Sequence, residues 1–301
     1  VQIFYAKNWI MKKILLLTLA AFSTALFLSY RYKTPTPVAL SPECYTSCYN
    51  ADVREQFKQA SNNAAFAQMH QTPIPFELAD AKGITISFKA ADGTEAKGYE
   101  IKNKRKTNKW VFVIQEWWGL NDYIKREADN LSGELADVNI LAIDLYDGKI
   151  AATPDSAMKL MQGVKIDRLE NIVKGAIAYS GSSAKIYTIG WCFGGMWSLQ
   201  TALLAGKQAA GCVMYYGRPE TNLEKLKGLN CDVIGFFGNK DKSPSPEMVT
   251  KFEQDMLTTG KKITAYKYET GHGFANPSNP SFNKEATEDA HNKAIEFLKA
   301  H

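Results

Sequence analysis

The sharpest chemical feature of the sequence is Gly190-Trp191-Cys192-Phe193-Gly194-Gly195. An apolar, strand-like run at residues 186–190 leads into it, and a helix-like run at 193–204 leaves it before Gly206. That is the setting of a nucleophile elbow, where a nucleophile sits on a strained strand-to-helix turn. Small residues are needed two places before and two after it, so that neighbouring backbone can pass close by. Gly190 and Gly194 fill those places. A thiol at a helix N-terminus is also favoured as thiolate by the dipole and the free N–H groups. On its own, the G-x-C-x-G string equally describes a glycine-rich turn around a buried structural cysteine.

The rest of the chain tilts the balance. A nucleophile elbow is followed by an acid and then a histidine, each after a later strand. The strand-like run 233–238 is followed by Asn239-Lys240-Asp241, and the run 264–268 by Glu269-Thr270-Gly271-His272-Gly273. His272 would take the thiol proton or pair with the thiolate, and Asp241 would hold the imidazole in the right tautomer. The structural alternatives are an Asp241 that caps its loop near Ser243 and Pro244, and a His272 that lies on the surface. His291 falls in a polar helix, His70 in the lead-in and His301 at the terminus. None of these follows a strand, so His272 is the candidate. The chemistry expected is acyl transfer to water through a thioester acyl-enzyme, with His272 as base for the water. Thiolate leaves a tetrahedral intermediate more readily than most alkoxides. Activated esters, enol lactones or thioesters are therefore expected rather than plain alkyl esters.

Positioning such a set requires an ordered sheet. Residues 84–88 alternate apolar and polar, and Asp92-Gly93 signals a turn before 97–101, which reads as an antiparallel hairpin. Continuous apolar runs at 110–114, 138–143 and 186–190 read as buried parallel strands, with others at 211–216, 233–238 and 264–268. Helices are expected at 52–70 as a lead-in, after Asn121-Asp122, and over 155–180, 193–204, 248–259 and 284–299. The fold class is α/β, a mostly parallel sheet covered by helices on both faces, with the catalytic loops at the carboxyl ends of strands. The expected domains are a signal peptide or membrane anchor at 1–33, a linker and lead-in helix at 34–80, and one α/β-hydrolase domain at 81–301.

Taken together, these residues resemble the dienelactone hydrolase family of the α/β-hydrolases. The resemblance rests on Gln115-Glu116-Trp117-Trp118-Gly119-Leu120-Asn121, on the Gly190–Gly195 elbow, on Gly271-His272-Gly273-Phe274 with Asp241 before it, and on Asp144-Leu145-Tyr146. It implies that Glu116 takes the thiol proton when substrate arrives, the resting thiol being neutral. Without the resemblance, Glu116 reads as a solvated loop acid. The resemblance also implies an oxyanion hole built from the backbone N–H groups of Trp117 and Phe193. The sequence departs from the family in one respect. Members that hydrolyse dienelactone hold its carboxylate with arginines, one of them four residues after the histidine, where this chain has Asn276. Arg168 is the only arginine between Tyr146 and the elbow strand, and it falls in a helix. Trp118, Trp191 and Asn276 are the expected pocket residues. Trp117, Trp118, Trp191 and Trp197 together suggest an aromatic pocket, though some of them must simply be core.

Bulk properties narrow the remaining classes. The chain has 301 residues, 45% of them hydrophobic, enough for a well-buried core. Its net charge of +5 is dispersed, and the densest basic run, 102–109, lacks the aromatic or helical partners of a nucleic-acid face. No nucleic-acid partner, metal or organic cofactor is expected, and the chain should be a monomer acting on a small ester or lactone. Met11-Lys12-Lys13 before the apolar run 14–28 reads as a secretory signal or an uncleaved anchor, with residues 1–10 an upstream extension. The globular part is then secreted, periplasmic, or anchored facing outside the cytoplasm. There Cys44 and Cys48 could form a local disulfide or stay as thiols, while Cys212 and Cys231 read as buried apolar residues. A thioesterase or cysteine peptidase on the same scaffold, and a non-catalytic envelope binding protein, remain open alternatives. A redox role is disfavoured because no second cysteine lies at C-x-x-C spacing from Cys192.

Overall fold

A computed structural model describes residues 52–62, 66 and 69–301. The expected signal or anchor at 1–33, the proline-rich linker after it, and Cys44 and Cys48 lie outside the described residues. The chain enters through α1 (Val53–Ala60), whose first turn is capped by Asp52 accepting from the Arg54 N–H. Within the stretch expected as a helix over 52–70, this helix ends at Ala60, and Phe66 is again helical. Val53 and Phe57 on its inner side are buried in the same core as the sheet.

The sheet has eight strands: β1 (Ile84–Lys89), β2 (Glu95–Ile101), β3 (Lys109–Ile114), β4 (Asn139–Ile143), β5 (Lys185–Trp191), β6 (Ala209–Tyr215), β7 (Val233–Gly238) and β8 (Ile263–Tyr268). Their spatial order is β1-β2-β4-β3-β5-β6-β7-β8. β1 pairs with β2, and β2 with β4, in antiparallel fashion. All the other pairs are parallel. Sequence composition accounts for the positions. Every residue of β4 and β7 is buried, as it must be for continuous apolar strands with both faces covered. β1 sits at the edge and exposes alternate residues.

The intervening helices are α2 (Asp122–Glu134), α3 (Pro154–Gly163), α4 (Ile166–Ser180), α5 (Phe193–Ala205), α6 (Leu223–Lys227), α7 (Pro246–Thr258) and α8 (Lys284–Ala300). α2 starts where expected, with Asn121 accepting from the Ile124 N–H. The helix expected over 155–180 is two helices. Val164 takes an extended conformation after Gly163 and ends α3, and Lys165 is extended ahead of α4. The five-residue α6 has too short an apolar pattern to be seen in the sequence. α5 packs against β3, β5 and β6, and is buried over almost its whole length, which fixes the elbow at its start. Among the described residues, no helix is long and apolar enough to cross a membrane.

Candidate active site

β5 hands over to α5 through a single residue, Cys192, with φ 56° and ψ −116°. This left-handed value is costly for a residue with a side chain, and it is the strain expected of an elbow. The flanking glycines are a packing necessity. A Cβ on Gly190 would lie 2.2 Å from the Gly194 carbonyl oxygen, and one on Gly194 would lie 2.3 Å from the Ile114 carbonyl oxygen. β3, β5 and α5 can therefore cross this closely only without side chains. The turn is held further by the Cys192 N–H, which donates to the Tyr215 carbonyl at 3.0 Å.

Asp241 and His272 follow β7 and β8, so both reach the same edge of the sheet as Cys192. Their loops are tied together: the Asn239 N–H donates to the Tyr268 carbonyl and the Lys240 N–H to the Thr270 carbonyl. His272 Nδ1 donates to Asp241 Oδ2 at 2.7 Å, and both side chains are almost wholly buried. Asp241 Oδ1 is occupied by the Ser243 N–H at 2.8 Å. Burial disfavours the His272 imidazolium, but the Asp241 carboxylate outweighs it and holds the ring well above the usual histidine range. With Nδ1–H committed to Asp241, Nε2 is the nitrogen left to exchange a proton with Cys192. That atom is buried and has no hydrogen-bond partner. The Cys192 thiol is pushed upward by burial, an effect that the nearby His272 partly opposes.

Glu116 follows β3 and lines a cavity of about 340 Å³ with Trp118, Trp191, Tyr216 and Asn276. Burial pushes its carboxyl up to about 7, against the opposing pull of His272 and of a hydrogen bond from Asn276. Asn276 Nδ2 donates to Glu116 Oε2 at 2.9 Å. The residue standing where the family's arginine would clamp a substrate carboxylate therefore pins the acid instead. Arg168 is remote from this cavity, bound on the surface to Asp147 and to the Glu95 carbonyl.

The residue that sequence reasoning missed is His70. Its Nε2 lies 3.3 Å from Cys192 Sγ, although 122 positions separate them. Its Nδ1 lies 2.8 Å from the Phe66 carbonyl oxygen. A carbonyl can only accept, so Nδ1 bears the proton and Nε2 the lone pair. The short contact is thus the thiol S–H donating to His70. Burial, reinforced by His272, pushes His70 down to about 3, so the ring is neutral at ordinary pH. The segment is anchored from the far side of the site. Asn279 Nδ2 donates to the Met69 carbonyl at 2.8 Å, and the Ile74 N–H donates to Ser278 Oγ. Rings complete the enclosure: His70 packs on Trp117 and Phe66 with centroids 4.5 Å away, and His272 on Tyr216 at 5.1 Å.

The structure thus gathers Cys192, His272, Asp241 and Glu116 at one end of the sheet, and adds His70. Trp118 and Trp191 line the cavity, whereas Trp117 and Trp197 are fully buried. Trp117 lies in the loop after β3, and Phe193 opens α5 directly after Cys192. Cys212 is buried and Cys231 half-buried, and both are free.

Comparison with known proteins places this arrangement in a context. A sequence model of the dienelactone hydrolase family matches residues 96–301. The chain is 26% identical over 222 residues to protein usf of Aquifex pyrophilus, covering 68% of this chain and 95% of that one. It is 24% identical over 203 residues to carboxymethylenebutenolidase 1 of Cupriavidus pinatubonensis, covering 62% and 84%. Among solved structures, a dienelactone hydrolase-like promiscuous phosphotriesterase from metagenomic libraries superposes with a TM-score of 0.62. The identity is 20%, over 73% of this chain and 98% of that one, a likeness of fold.

Proposed function

The chain belongs to the dienelactone hydrolase family and has its α/β-hydrolase fold, and from that premise we propose that it cleaves lactones or activated esters through a thioester on Cys192. Family membership alone indicates a hydrolase acting on a lactone or ester. The finer reading rests chiefly on one observation. Cys192 occupies a left-handed turn beside a buried His272–Asp241 pair whose Nε2 is not engaged by any other group.

In this reading the resting thiol is neutral, its proton shared with His70 Nε2. A substrate carbonyl enters with its oxygen toward the N–H groups of Trp117 and Phe193. The thiol proton passes to Glu116 or His272, and the sulfur attacks the carbonyl carbon. Collapse of the tetrahedral intermediate expels the alkoxide or enolate, which takes a proton from the imidazolium or from Glu116. Water, deprotonated by His272, then attacks the thioester and regenerates the thiol. A Glu116 carboxyl held at about 7 suits proton acceptance near neutrality. The aromatic walls from Trp118 and Trp191, with Asn276 committed to Glu116, favour an uncharged acyl group over a carboxylate-bearing one.

The test is hydrolysis of p-nitrophenyl acetate by the wild type and by Cys192→Ala, with mass spectrometry for an acyl adduct. Activity unchanged in Cys192→Ala sinks the reading. A panel of enol lactones, thioesters and peptides separates a lactone hydrolase from a thioesterase or peptidase.

A further inference from the structure

The thiol of Cys192 faces two imidazoles whose outer nitrogens are both engaged. His70 Nδ1–H is committed to the Phe66 carbonyl and His272 Nδ1–H to Asp241 Oδ2. Each ring is therefore left with Nε2 as its free nitrogen beside the same sulfur. His70 Nε2 lies 3.3 Å from Sγ, and His272 Nε2, in a residue 4% exposed, makes no hydrogen bond of its own.

A cation would satisfy all three atoms at once. Imidazoles that bind metals characteristically donate their other N–H to a carboxylate or to a backbone carbonyl, which fixes tautomer and ring orientation. Asp241 and the Phe66 carbonyl are one of each. One donor atom from each of His70, Cys192 and His272 lies within 4.8 Å of the other two. Zinc takes imidazole nitrogen at about 2.0–2.1 Å and thiolate at about 2.3 Å, which sets tetrahedral ligands about 3.3–3.6 Å apart. The His70–Cys192 pair already has that separation, and the remaining pairs need to close by no more than about 1.5 Å. Two imidazoles and one thiolate suit a borderline-soft divalent ion rather than magnesium or calcium.

We propose that His70, Cys192 and His272 form a three-ligand site for a borderline-soft divalent transition-metal cation, represented by Zn²⁺, and that this ion reversibly shuts off the thiol. Binding forms a metal–sulfur bond and two metal–nitrogen bonds, and releases to solvent the thiol proton and the His272 Nε2 proton that Asp241 favours, with no change of oxidation state. The proposal uses the residues assigned to hydrolysis but does not require that the chain hydrolyse anything. It replaces the sequence-based expectation of no metal.

The experiment uses the full chain, stripped with chelator, held reduced by a phosphine and titrated with Co²⁺. Wild type should bind one more Co²⁺ than Cys192→Ala. That ion should give a thiolate-to-cobalt charge-transfer band and the intense visible bands of four-coordinate cobalt, both abolished by one equivalent of Zn²⁺. Losing only an outer partner of a metal-bound histidine costs about 10–100-fold in affinity, so His70→Ala, which removes a ligand, should cost at least that. His70→Cys should restore binding with a stronger charge-transfer band, which guards against a folding defect in His70→Ala. Saturating Zn²⁺ should slow alkylation of Cys192 at least tenfold. The proposal is overturned if wild type and Cys192→Ala bind cobalt alike, or if His70→Ala binds as tightly as wild type. Ester hydrolysis by the metal-free chain without specific cobalt binding would remove the metal site and leave the hydrolase reading standing. Specific cobalt binding to a chain inert toward every ester would do the reverse.

Discussion

Glu116 is an acid buried beside a histidine, and its replacement by glutamine should change how stability depends on pH. Burial raises its carboxyl to about 7 from an ordinary 4.5, a gap of about 2.5. At about 1.4 kcal/mol for each pKa unit, that gap corresponds to roughly 3 kcal/mol. The sign follows from which state resists ionisation. Below 4.5 the carboxyl is neutral in both folded and unfolded chains, and the favourable neutral burial is fully present. As pH rises toward 7 the unfolded chain ionises freely and the folded chain does not, so stability falls, and the loss is complete above 7. Glutamine keeps an oxygen to accept from Asn276 Nδ2 and has no proton to lose. Urea unfolding of both proteins in chelator-treated buffer should therefore show Glu116→Gln gaining on wild type by roughly 3 kcal/mol between pH 4.5 and pH 8. Parallel curves across that range would refute the assignment of Glu116 as an acid whose carboxyl burial holds near 7.

Other outcomes follow from the same geometry. Asp241→Asn should leave KM nearly unchanged and lower kcat for an aryl ester by about a thousandfold or more, because the amide no longer fixes the His272 tautomer. Gly194→Ala places a Cβ 2.3 Å from the Ile114 carbonyl. It should lower the thermal midpoint markedly, and a midpoint within a degree of wild type would show that the crossing can open. Phe57→Ala removes a ring packed 5.5 Å from Phe66 and 5.7 Å from Phe193. It should cost about 3–5 kcal/mol in urea unfolding and should speed alkylation of Cys192 by loosening the segment that carries His70. Asn276→Leu deletes a hydrogen bond that holds Glu116 down, so the pH-dependent loss of stability should begin near the same pH, extend to higher pH and be larger than in wild type.

Much of the site was legible in the sequence because catalytic order on this fold follows strand order. Cys192, Asp241 and His272 each come straight after an apolar run, and parallel pairing carries all three to one edge. The glycines flanking Cys192 were readable for the same reason, since close backbone crossing admits no other residue. The break between α3 and α4 was hidden because apolar periodicity continues across Gly163 and Val164 and only the backbone departs. His70 was hidden by distance along the chain. It follows no strand, and its part in the site depends on tertiary anchors, Asn279 to Met69 and Ser278 to Ile74, that no local pattern encodes. A weaker signal was present. Val53 and Phe57 stand four apart on a polar helix, which marks one face for burial, and a lead-in that packs on the sheet must be expected to deliver side chains to it.

The placement of His70 also bears on how a strained elbow can hold its thiol neutral. A helix N-terminus and a histidine–aspartate pair both draw a cysteine toward thiolate. Burial draws it the other way, and Cys192 is 1% exposed. The ring of His70 tips the contest toward the neutral form, because its only free nitrogen is an acceptor that pairs with S–H and opposes S⁻. The resting chain therefore surrounds the candidate nucleophile with groups that disfavour its charge. Under the proposed function, any event that takes the His70 Nε2 lone pair away from the sulfur, such as coordination of a cation, would change the ionisation of Cys192.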